Sequence, residues 1–489
     1  MTAARSIVGG MNETETHVLI AGAGPAGLTL ACDLARRGVD FRIVEREQLT
    51  GSRGKGLQPR TLEVFDDLGV VDAVLASGAP YPLINAYKNG SVVWQGRMHE
   101  PAEPTPDVPY PNVWMVPQWR TEEILRNRLA ELGGRVEQAE VTGFEQDTDG
   151  VTVELDGGRR VRAAYLVGAD GGRSLVRKRL GVRFDGETHE AERMLIADVR
   201  TGDLDRGHWH VWGDMATQKL TVGLCPLPGT DVFQLTAPIE GEETPDLSLE
   251  TFQKIVSSVA DVRLTDIGWT SVYRVNIRMA ERFRADRVFL AGDAAHVHSP
   301  AGGQGLNTGI QDAYNLGWKL ARGGDTLLGT YEEERLPVAA GVLGISTRLY
   351  RKAVEGQADA FRRGEETQQL GIGYPDSPLS VGGGKAGGRA PDAPCHSADG
   401  RPARLFDVFR GPHVTVLGFG ATHAETVARI NASYGPAVRA YTVGEGGDLV
   451  DTEGHARAAY GTDGIVVVRP DGYIGSYDAD PDAYLRSIA

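Results

Sequence analysis

The sequence contains little cysteine. Its 489 residues include three cysteines, Cys32, Cys225 and Cys395, and no C-x-x-C pair. Disulfide frameworks, cysteine-based zinc sites and dithiol redox centres all depend on cysteines at suitable spacing. The shortage therefore argues against all three kinds of protein.

The sequence also lacks an excess of positive charge and any long apolar run. Its formal net charge is −15, which disfavours binding to nucleic acid or to an anionic membrane surface. No apolar run is long enough to span a bilayer, and residues 1–15 lack the apolar core of a signal peptide. We therefore expect a disordered leader over 1–15, with Met11 as an alternative start, and a cytoplasmic protein.

The composition that remains is ordinary for a soluble protein, with 41% hydrophobic and 24% charged residues. A chain of this length is expected to fold as two to four domains with a large buried core. No internal period of 20–50 residues is visible, so a repeat architecture is not expected.

The strongest pattern lies in residues 16–46. An apolar strand, a G-x-G-x-x-G run at Gly22, Gly24 and Gly27, an amphipathic helix and a second strand ending at Glu45 follow one another. The glycines suit a tight turn, a close approach to a pyrophosphate and close helix–strand packing. The helix N-terminus then faces the phosphates, and an acid about 20 residues further on binds a ribose hydroxyl. The segment predicts a dinucleotide-binding unit rather than a glycine turn without a ligand.

A second copy of the spacing shows how weak the bare pattern is. Residues 382–387, GGGKAG, also fit G-x-G-x-x-G, but no strand precedes them and a stretch rich in glycine, arginine and proline follows. We interpret that copy as part of a flexible linker over 371–404.

Other segments carry polar residues beside predicted strands and helices. The basic loop with Arg53 is either simply solvated or directed toward a cofactor or substrate. Gln118 precedes a predicted helix over 121–132, and a buried strand runs into Asp170-Gly171, which alone predicts an ordinary turn. Residues 80–112 form either a strand pair with a loop that lines a pocket or a loop on the protein surface.

Residues 183–275 consist mainly of short alternating stretches, which predict an antiparallel sheet inserted between two parts of the cofactor domain. The segment 287–321 shows the pattern of an anion-binding site a second time. A strand ends at Gly292-Asp293, a Pro/Gly loop follows, and a helix begins near Leu306. Asp293 would suit the hydroxyls of a sugar-like chain. Residues 325–370 are predicted helical, and 405–489 begin a new β-α-β pattern.

His296 and His298 in the same segment suggest a metal site. Transition-metal sites need three or four ligands, and no further histidine or acidic residue occurs at a matching spacing from these two. No metal is therefore expected.

Taken in order, four segments resemble the FAD-dependent aromatic hydroxylases of the para-hydroxybenzoate hydroxylase fold: GAGPAG with Glu45, the Arg53 loop, Asp170-Gly171, and GDAAHVHSPAGGQGLNTGIQDAYNLGWKL. The tail from 387 onward resembles the thioredoxin-like domain of the phenol-hydroxylase branch, which includes bacterial enzymes that tailor polyketides and antibiotics. The resemblance implies an α/β fold with a discontinuous, Rossmann-like FAD-binding domain (16–182 and 276–370), an inserted antiparallel substrate domain (183–275), and a thioredoxin-like domain (405–489). Cys395 is the only cysteine of that tail, so we expect a folding or dimer-packing role there rather than a redox one.

The resemblance also implies roles for individual residues. The first glycines hold the FAD diphosphate and Glu45 the ribose, Asp170 contacts FAD and the nicotinamide cofactor, and Asp293 binds the ribityl chain. Arg53 and Pro300 are the candidate catalytic positions. The predicted cofactor-binding residues are Gly22, Gly24, Pro25, Ala26, Gly27, Glu45, Arg46, Arg53, Gln118, Asp170, Gly292, Asp293, Pro300, Gly303, Gly305, Leu306 and Asn307.

The implied reaction is hydroxylation of a phenolic or polyketide-like ring by NADPH and O₂ through a C4a-hydroperoxyflavin. The single dinucleotide fingerprint suggests that NADPH, or NADH in its place, binds only transiently. Three alternatives stay open: Baeyer–Villiger insertion or epoxidation on the same fold, a flavin-dependent dehydrogenase or reductase, and a flavin-binding protein without turnover. No acid–base residue stands out, so a phenol would be deprotonated by water or by His210. The substrate's identity and the oligomeric state, with a homodimer as one option, do not follow from the sequence.

Overall fold

The computed structural model describes residues 14–48, 51–214, 219–239, 245–299, 302–354 and 363–488. These residues form three large sheets and one small one. The predicted leader lies outside these ranges except for residues 14 and 15, which already belong to the first strand. Pro300, a predicted site residue, also lies outside them.

The first sheet brings together strands from distant parts of the chain. Its five parallel strands are, in spatial order, Val136–Gln138, Phe41–Glu45, Thr14–Ala21, Arg160–Gly168 and Val288–Leu290. Arg284–Ala285 pairs antiparallel at one edge, and the hairpin Val141–Gln146 and Val151–Leu155 extends from Arg160–Gly168. The strand Val288–Leu290 therefore brings the second glycine-rich segment beside the first.

Helices cover this sheet, as expected for parallel strands that are buried on both faces. Their bounds are Pro25–Arg36, Pro59–Asp67, Val71–Ser77, Gln118–Glu131, Leu175–Arg179, Gly305–Arg322 and Asp325–Val354. The helix predicted over 121–132 begins three residues earlier, directly after Pro117. The prediction of helix over 325–370 is right up to Val354, but residues 363–370 contain only the 3₁₀ turn Glu365–Thr367.

Two of these helices pack so closely that a side chain of one contacts the backbone of the other. A Cβ added to Gly317, on Gly305–Arg322, would lie 2.2 Å from a carboxylate oxygen of Asp33 on Pro25–Arg36. The two helices that follow the glycine-rich segments are thus packed against each other, which aligns their N-terminal ends on the same side of the sheet.

The second sheet is antiparallel apart from one strand pair. Its strands are, in spatial order, His296–Val297, Asp266–Ala280, Phe184–Arg200, Val232–Pro238, Lys219–Pro226, His208–Asp214, Leu83–Lys88 and Ser91–Gly96. The helix Leu249–Ser257 packs on one face, where Phe252 and Val256 join its hydrophobic core. The segment 80–112 contributes a strand pair, Leu83–Lys88 and Ser91–Gly96, to this sheet, and its role as the wall of a pocket stays a prediction.

The third sheet contains most of the C-terminal part. Its strands are, in spatial order, Val381–Gly382, Ile474–Tyr477, Gly464–Val468, Val414–Phe419, Val438–Val443, Leu449–Val450, Pro394–Ser397 and Pro402–Arg404. Its helices are Leu405–Phe409, Ala424–Tyr434, His455–Tyr460 and Pro481–Ser487. The remaining small sheet consists of Gly56–Leu57, Trp114–Met115 and Ala79–Pro80.

The stretch 371–404 differs from the predicted flexible linker, because three of the strands of the third sheet come from it. Gly387 shows why the glycines are there. Its amide donates to the carbonyl of Ile474 (2.7 Å), its φ is +80°, and a Cβ would lie 2.5 Å from the carbonyl oxygen of Tyr374. The glycine content serves close backbone contacts rather than freedom of movement.

In the part of the chain that the structure describes, no helix is both long and apolar enough to cross a membrane.

Candidate active site

The first glycine-rich turn is shaped by contacts that forbid side chains at two positions. Gly22 has φ +104°, and a Cβ there would lie 2.3 Å from the carbonyl oxygen of Ala169; a Cβ on Gly27 would lie 2.0 Å from the carbonyl oxygen of Gly22. Gly24 is different, because no described residue other than its chain neighbours has an atom within 4 Å of its Cβ position. Gly22 and Gly27 therefore build the turn, while Gly24 faces open space that a phosphate would fill.

The helix that follows this turn has free donors at its start. Pro25 is its first residue, and its N-cap, Gly24, provides no side-chain cap. Ala26 packs against Gly292 of the second segment, with its Cβ 3.1 Å from the position a Cβ on Gly292 would take. The unsatisfied N–H groups and the positive end of the helix dipole make this an anion site.

Glu45 ends the neighbouring strand and is bound to the turn. Its carboxylate accepts hydrogen bonds from the amides of Ala23 (2.8 Å) and Arg46 (3.0 Å). The Arg46 side chain is exposed and pairs with Glu140 (3.3 Å). The structure thus brings Glu45 to the dinucleotide turn, whereas the guanidinium of Arg46 is engaged at the surface.

Arg126 is a neighbour of this turn that sequence reasoning missed. Its Nη2 donates to the carbonyl of Ala23 (3.1 Å), and its buried Nε has no partner among the described residues. Gln118, Glu122 and Arg126 lie at i, i+4 and i+8 of one helix and so share a face. That spacing, counted from Gln118, was the signal that could have identified it.

The Arg53 loop is held between Gln118 and the start of the helix Gly305–Arg322. Gly54 exchanges two hydrogen bonds with Gln118, through its amide to Oε1 (3.0 Å) and its carbonyl from the Gln118 amide (2.9 Å). A Cβ on Gly54 would lie 3.0 Å from Leu306 Cδ1. Arg53 itself is exposed, with its guanidinium 6.0 Å from the ring centre of Trp269.

Asn307 fixes the other half of this loop. Its Oδ1 accepts from the amide of Gln58 (2.8 Å), and its Nδ2 donates to the carbonyls of Gly56 (2.9 Å) and Gly303 (2.8 Å). Gly303 has φ +62°, which favours glycine. Three predicted residues, Gln118, Leu306 and Asn307, are therefore brought together around the Arg53 loop.

The same loop also contacts the second sheet. Lys55 Nζ lies 2.6 Å from Gln234 Oε1 and 4.4 Å from the ring centre of Trp209, and Gln234 donates to the carbonyl of Ser52. A Cβ on Gly51 would overlap the indole of Trp269. The loop thus lies between the cofactor sheet and one face of the inserted sheet.

Asp293 lines this junction. Its side chain is solvent-accessible although protein surrounds it, as in the wall of a cleft. Burial among protein atoms raises the pKa of Asp293, and the nearby charges of His296 and Arg53 act in the opposite direction. Tyr273 of the second sheet lies within electrostatic reach of both Asp293 and Arg53, and burial raises the pKa of its hydroxyl.

The helix Gly305–Arg322 begins beside this cleft without a side-chain cap. The side chain of its N-cap, Gln304, donates instead to the carbonyls of Gly302 (2.8 Å) and Thr367 (3.0 Å). The first N–H groups of the helix and its positive end are therefore available to a ligand.

Asp170 has a partner set within the chain. Its carboxylate accepts from Ser174 Oγ (2.5 Å) and from the amides of Leu175 (2.7 Å) and Val176 (3.1 Å), so it caps the helix Leu175–Arg179. Its predicted contact with FAD and the nicotinamide cofactor stays a prediction.

His210 lies away from this cleft. Its ring bonds the Tyr87 hydroxyl (2.8 Å) and the Asp205 carbonyl (2.9 Å), stacks on Trp212, and is buried on the face of the sheet that carries Leu249–Ser257. Burial lowers the pKa of His210. Of the two bases considered for a phenol, this histidine is excluded by position.

The histidines of the second glycine-rich segment are used within the chain. His298 Nε2 lies 3.0 Å from His296 Nδ1, and His296 Nε2 lies 2.6 Å from Asp312 Oδ2. Among the residues described by the structure, no group of three or more His, Cys, Asp or Glu side chains is arranged to hold a metal ion.

The residues of the cleft fit a flavin dinucleotide. Two uncapped helix starts, Gly24 facing open space and an accessible Asp293 supply the donors and acceptors for a diphosphate and a hydroxylated chain. Two buried polar atoms near the loop have no hydrogen-bond partner in the described ranges, which is unusual for a native interior. They are Gln58 Oε1 and His298 Nδ1.

Comparison with known proteins agrees with this geometry. Residues 15–346 match a protein family described as an FAD binding domain. A flavin-dependent monooxygenase of Mycobacteroides abscessus is 46% identical over 481 residues, covering 94% of the chain and 96% of that protein. The 6-methylpretetramide 4-monooxygenase of Streptomyces rimosus is 37% identical over 518 residues, covering 94% and 90%.

A solved structure shares the fold along nearly the whole chain. It is a ternary complex of aklavinone-11 hydroxylase with FAD and aklavinone, with a TM-score of 0.81 and 28% identity over 98% of the chain and 99% of that structure. Together with the glycine turns and the accessible Asp293, these matches show that the chain belongs to the FAD-binding-domain family and is a flavin-dependent monooxygenase of the aromatic or polyketide type.

Proposed function

We propose that this chain hydroxylates a phenolic or polyketide-like ring, using NADPH and O₂ through a C4a-hydroperoxyflavin. The observation that carries the proposal is the Arg53 loop, which touches Gln118 and Asn307 on the FAD side and Gln234 and Trp269 on the inserted sheet. A cofactor and a ring substrate would therefore meet at this loop. When bound, FAD supplies the oxygen-activating chemistry, and the protein supplies position, dryness and charge.

The cofactor side has groups for each part of FAD. Gly24 and the start of Pro25–Arg36 would receive the diphosphate, Glu45 the ribose and Asp293 the ribityl hydroxyls. The positive end of Gly305–Arg322 would stabilise negative charge that develops on the reduced ring. Dipoles arranged in advance in this way are worth about 3–4 kcal/mol per lost donor in other enzymes.

The substrate side combines aromatic rings with polar side chains such as Lys55, Gln234 and Arg53. Trp209 lies 6.4 Å from Tyr81 between ring centres and below the Lys55 ammonium, and Trp269 covers the Arg53 loop. Flat aromatic faces suit a flat ring substrate. A ring substrate packed on these faces would displace water from the reacting ring, which would limit unproductive decay of the activated oxygen.

NADPH is proposed as a transient co-substrate. The only dinucleotide fingerprint with a strand, helix and acid in register is the one at Gly22–Gly27, and the FAD assignment uses it. We also propose that residues 405–489 form a thioredoxin-like domain without redox function, since β-α-β, hairpin and helix follow one another there and Cys395 is buried.

The test is turnover by the FAD-loaded protein with NADPH, O₂ and a panel of phenols and tetracyclic polyketides. We expect NADPH oxidation to accelerate with one of these compounds and to give a product one oxygen atom heavier with its ring system unopened. A product with an expanded or cleaved ring would replace hydroxylation by Baeyer–Villiger insertion. NADPH consumption that yields only H₂O₂ with every compound would argue against the proposal.

A further inference from the structure

A buried row of hydrogen-bonding groups runs from the cleft wall into the protein. It consists of His298, His296, Asp312 and Arg335, joined by contacts of 3.0, 2.6 and 2.7 Å. His298 is 7% exposed and the other three are fully buried. The function proposed above uses none of these side chains.

The carboxylate fixes which nitrogens carry hydrogen. Although burial opposes its ionisation, the charges of His296 and Arg335 lower the pKa of Asp312 to about 2, so Asp312 only accepts. It accepts from Arg335 and Gly292, and His296 Nε2 must therefore donate to it. In neutral rings, His296 Nδ1 then accepts from His298 Nε2–H, and His298 Nδ1 is left with a bare lone pair.

The outer end of the row, His298, lies beside the cleft. His298 Nδ1 is buried and has no hydrogen-bond partner in the described ranges. The ring lies beside the helix start, with Cδ2 3.6 Å from the position a Cβ on Gly305 would take, and the His298 carbonyl accepts from the Tyr273 hydroxyl (3.1 Å). Both neighbours belong to the cleft described above.

The other end is closed. Arg335 donates to Asp312, to the Tyr374 hydroxyl (3.0 Å) and to the Thr308 carbonyl (3.2 Å). A guanidinium has no lone pair and does not deprotonate in proteins, so a proton cannot pass beyond Asp312. The row can take up one proton and return it, but it cannot conduct protons to solvent.

We propose that His298 is the catalytic base of the cleft, with His296 and Asp312 as positioning residues that hold the proton it receives. The proposal rests on the function proposed above. The O–H bond of a phenolic hydroxyl breaks, an N–H bond forms at His298 Nδ1, and the hydrogen on His298 Nε2 passes to His296 Nδ1. The electron pair stays on the phenolate, which makes the ring more nucleophilic, and the imidazolium of His296 pairs with Asp312. The transfer reverses once the product forms.

The charged surroundings suit this division of roles. Asp293, Tyr273 and Arg53 are on the cleft side, and Asp312, Arg335 and Tyr374 are on the buried side. Burial, followed by the charge of His296, lowers the pKa of His298 well below its ordinary value. His298 is therefore neutral and can accept a proton at Nδ1.

The first test is nitrogen NMR of the histidine rings in FAD-loaded protein, with signals assigned through His298→Gln and His296→Gln. At high pH we expect both rings as neutral Nε2–H tautomers. When bound 4-nitrophenol gives up its proton, the hydrogen on His298 should move from Nε2 to Nδ1. A neutral ring of His298 with Nδ1–H at high pH, or a doubly protonated His298, would overturn the proposal whatever the enzyme's reaction.

The second test uses 4-nitrophenol, whose phenolate is coloured. Wild-type protein should lower the pKa of the bound phenol, His298→Gln should abolish that shift, and the control His423→Gln, which changes a histidine paired with Asp463 in the third-sheet region, should keep it. For a hydroxylated substrate, His298→Gln should also slow ring oxygenation about 10²-fold. An unchanged phenol shift in His298→Gln would overturn the role as base, and if 4-nitrophenol does not bind, the NMR result decides.

Discussion

Two regions of the molecule bury charged side chains and treat them in opposite ways. At the junction between the first-sheet helices and the third sheet, Lys319, Glu334, Arg469 and Asp471 are buried and bonded to one another. In the cleft, buried Asp198 has only Ser52 and the charge of Lys55 to offset its burial, His298 Nδ1 is buried without a partner among the described residues, and Asp293 is open to solvent. Buried polar groups whose hydrogen-bond partners lie within the chain stabilise the fold. Buried polar groups that lack such partners indicate where a ligand binds.

The junction is tested most directly at Arg469. Its guanidinium bonds both carboxylate oxygens of Glu334 (2.6 and 2.9 Å) and both of Asp471 (2.5 and 3.0 Å). Arg469→Met would leave two buried carboxylates with one cation, Lys319, and should cost about 3–5 kcal/mol of unfolding free energy. Urea denaturation of the FAD-loaded protein measures this loss.

The matched control is Arg401→Met, since the exposed pair of Arg401 with Asp399 should contribute at most about 1 kcal/mol. Equal losses in the two variants would mean that the buried network is not what joins the third sheet to the rest.

In the cleft, Gly22 and Gly24 allow a comparison within one turn. Gly22→Ala forces a Cβ to 2.3 Å from a carbonyl oxygen, so the turn itself should fail. Gly24→Ala meets no protein atom and should leave the thermal stability of the apoprotein unchanged, while the methyl group keeps the diphosphate away and weakens FAD binding about 10²-fold. Melting curves and FAD titration of both variants, with Gly341→Ala as an open helical control, check this.

If Gly24→Ala bound FAD as tightly as the wild type, the open space at that position would not be the diphosphate site.

A substitution at Asp293 should likewise weaken FAD binding without lowering the stability of the fold. A hydrogen bond to a charged group is worth about 1.5–3 kcal/mol, so Asp293→Ala should lose FAD affinity by at least about tenfold and be purified depleted of flavin. Because Asp293 is accessible and makes no hydrogen bond or ion pair with the described residues, the melting temperature of the apoprotein should hold, as it should for Asp149→Ala at the surface. Flavin absorbance per protein is the measurement, and near-full occupancy in Asp293→Ala would refute the assignment.

Features of the fold and of the site could be predicted from the sequence where the contacts that form them are local. Gly22, Gly24, Gly27 and Glu45 are set by one strand–helix–strand segment, and their arrangement was predicted. The hairpin Leu83–Lys88 and Ser91–Gly96 could not be assigned to its sheet from its own residues, because strand pairing is decided by distant partners.

Two further outcomes have the same explanation. The glycines of 371–404 suggested flexibility, but they permit close contacts with Ile474 and Tyr374 that no local pattern reveals. His298 was first judged only as a metal ligand, since its partners His296 and Asp312 become a row only when the helix Gly305–Arg322 packs behind the strand His296–Val297.

The smallest effect expected concerns Asp198, a buried acid on the cleft face beside Ser52. Burial raises the pKa of Asp198 to about 6, and Ser52 and Lys55 lower it only in part. An acid whose folded pKa exceeds its unfolded value of about 3.9 stabilises the folded state fully below pH 4 and loses that stabilisation as pH rises through 6. Asp198→Asn should therefore be more stable than wild type by about 1–3 kcal/mol at pH 7.5 and should lose that advantage at pH 4.

Urea midpoints at the two pH values, with exposed Asp246→Asn as control, measure this difference in stability. An Asp198→Asn variant less stable than wild type at pH 7.5 would mean that Asp198 is paired in solution and that the contrast with the junction does not extend to it.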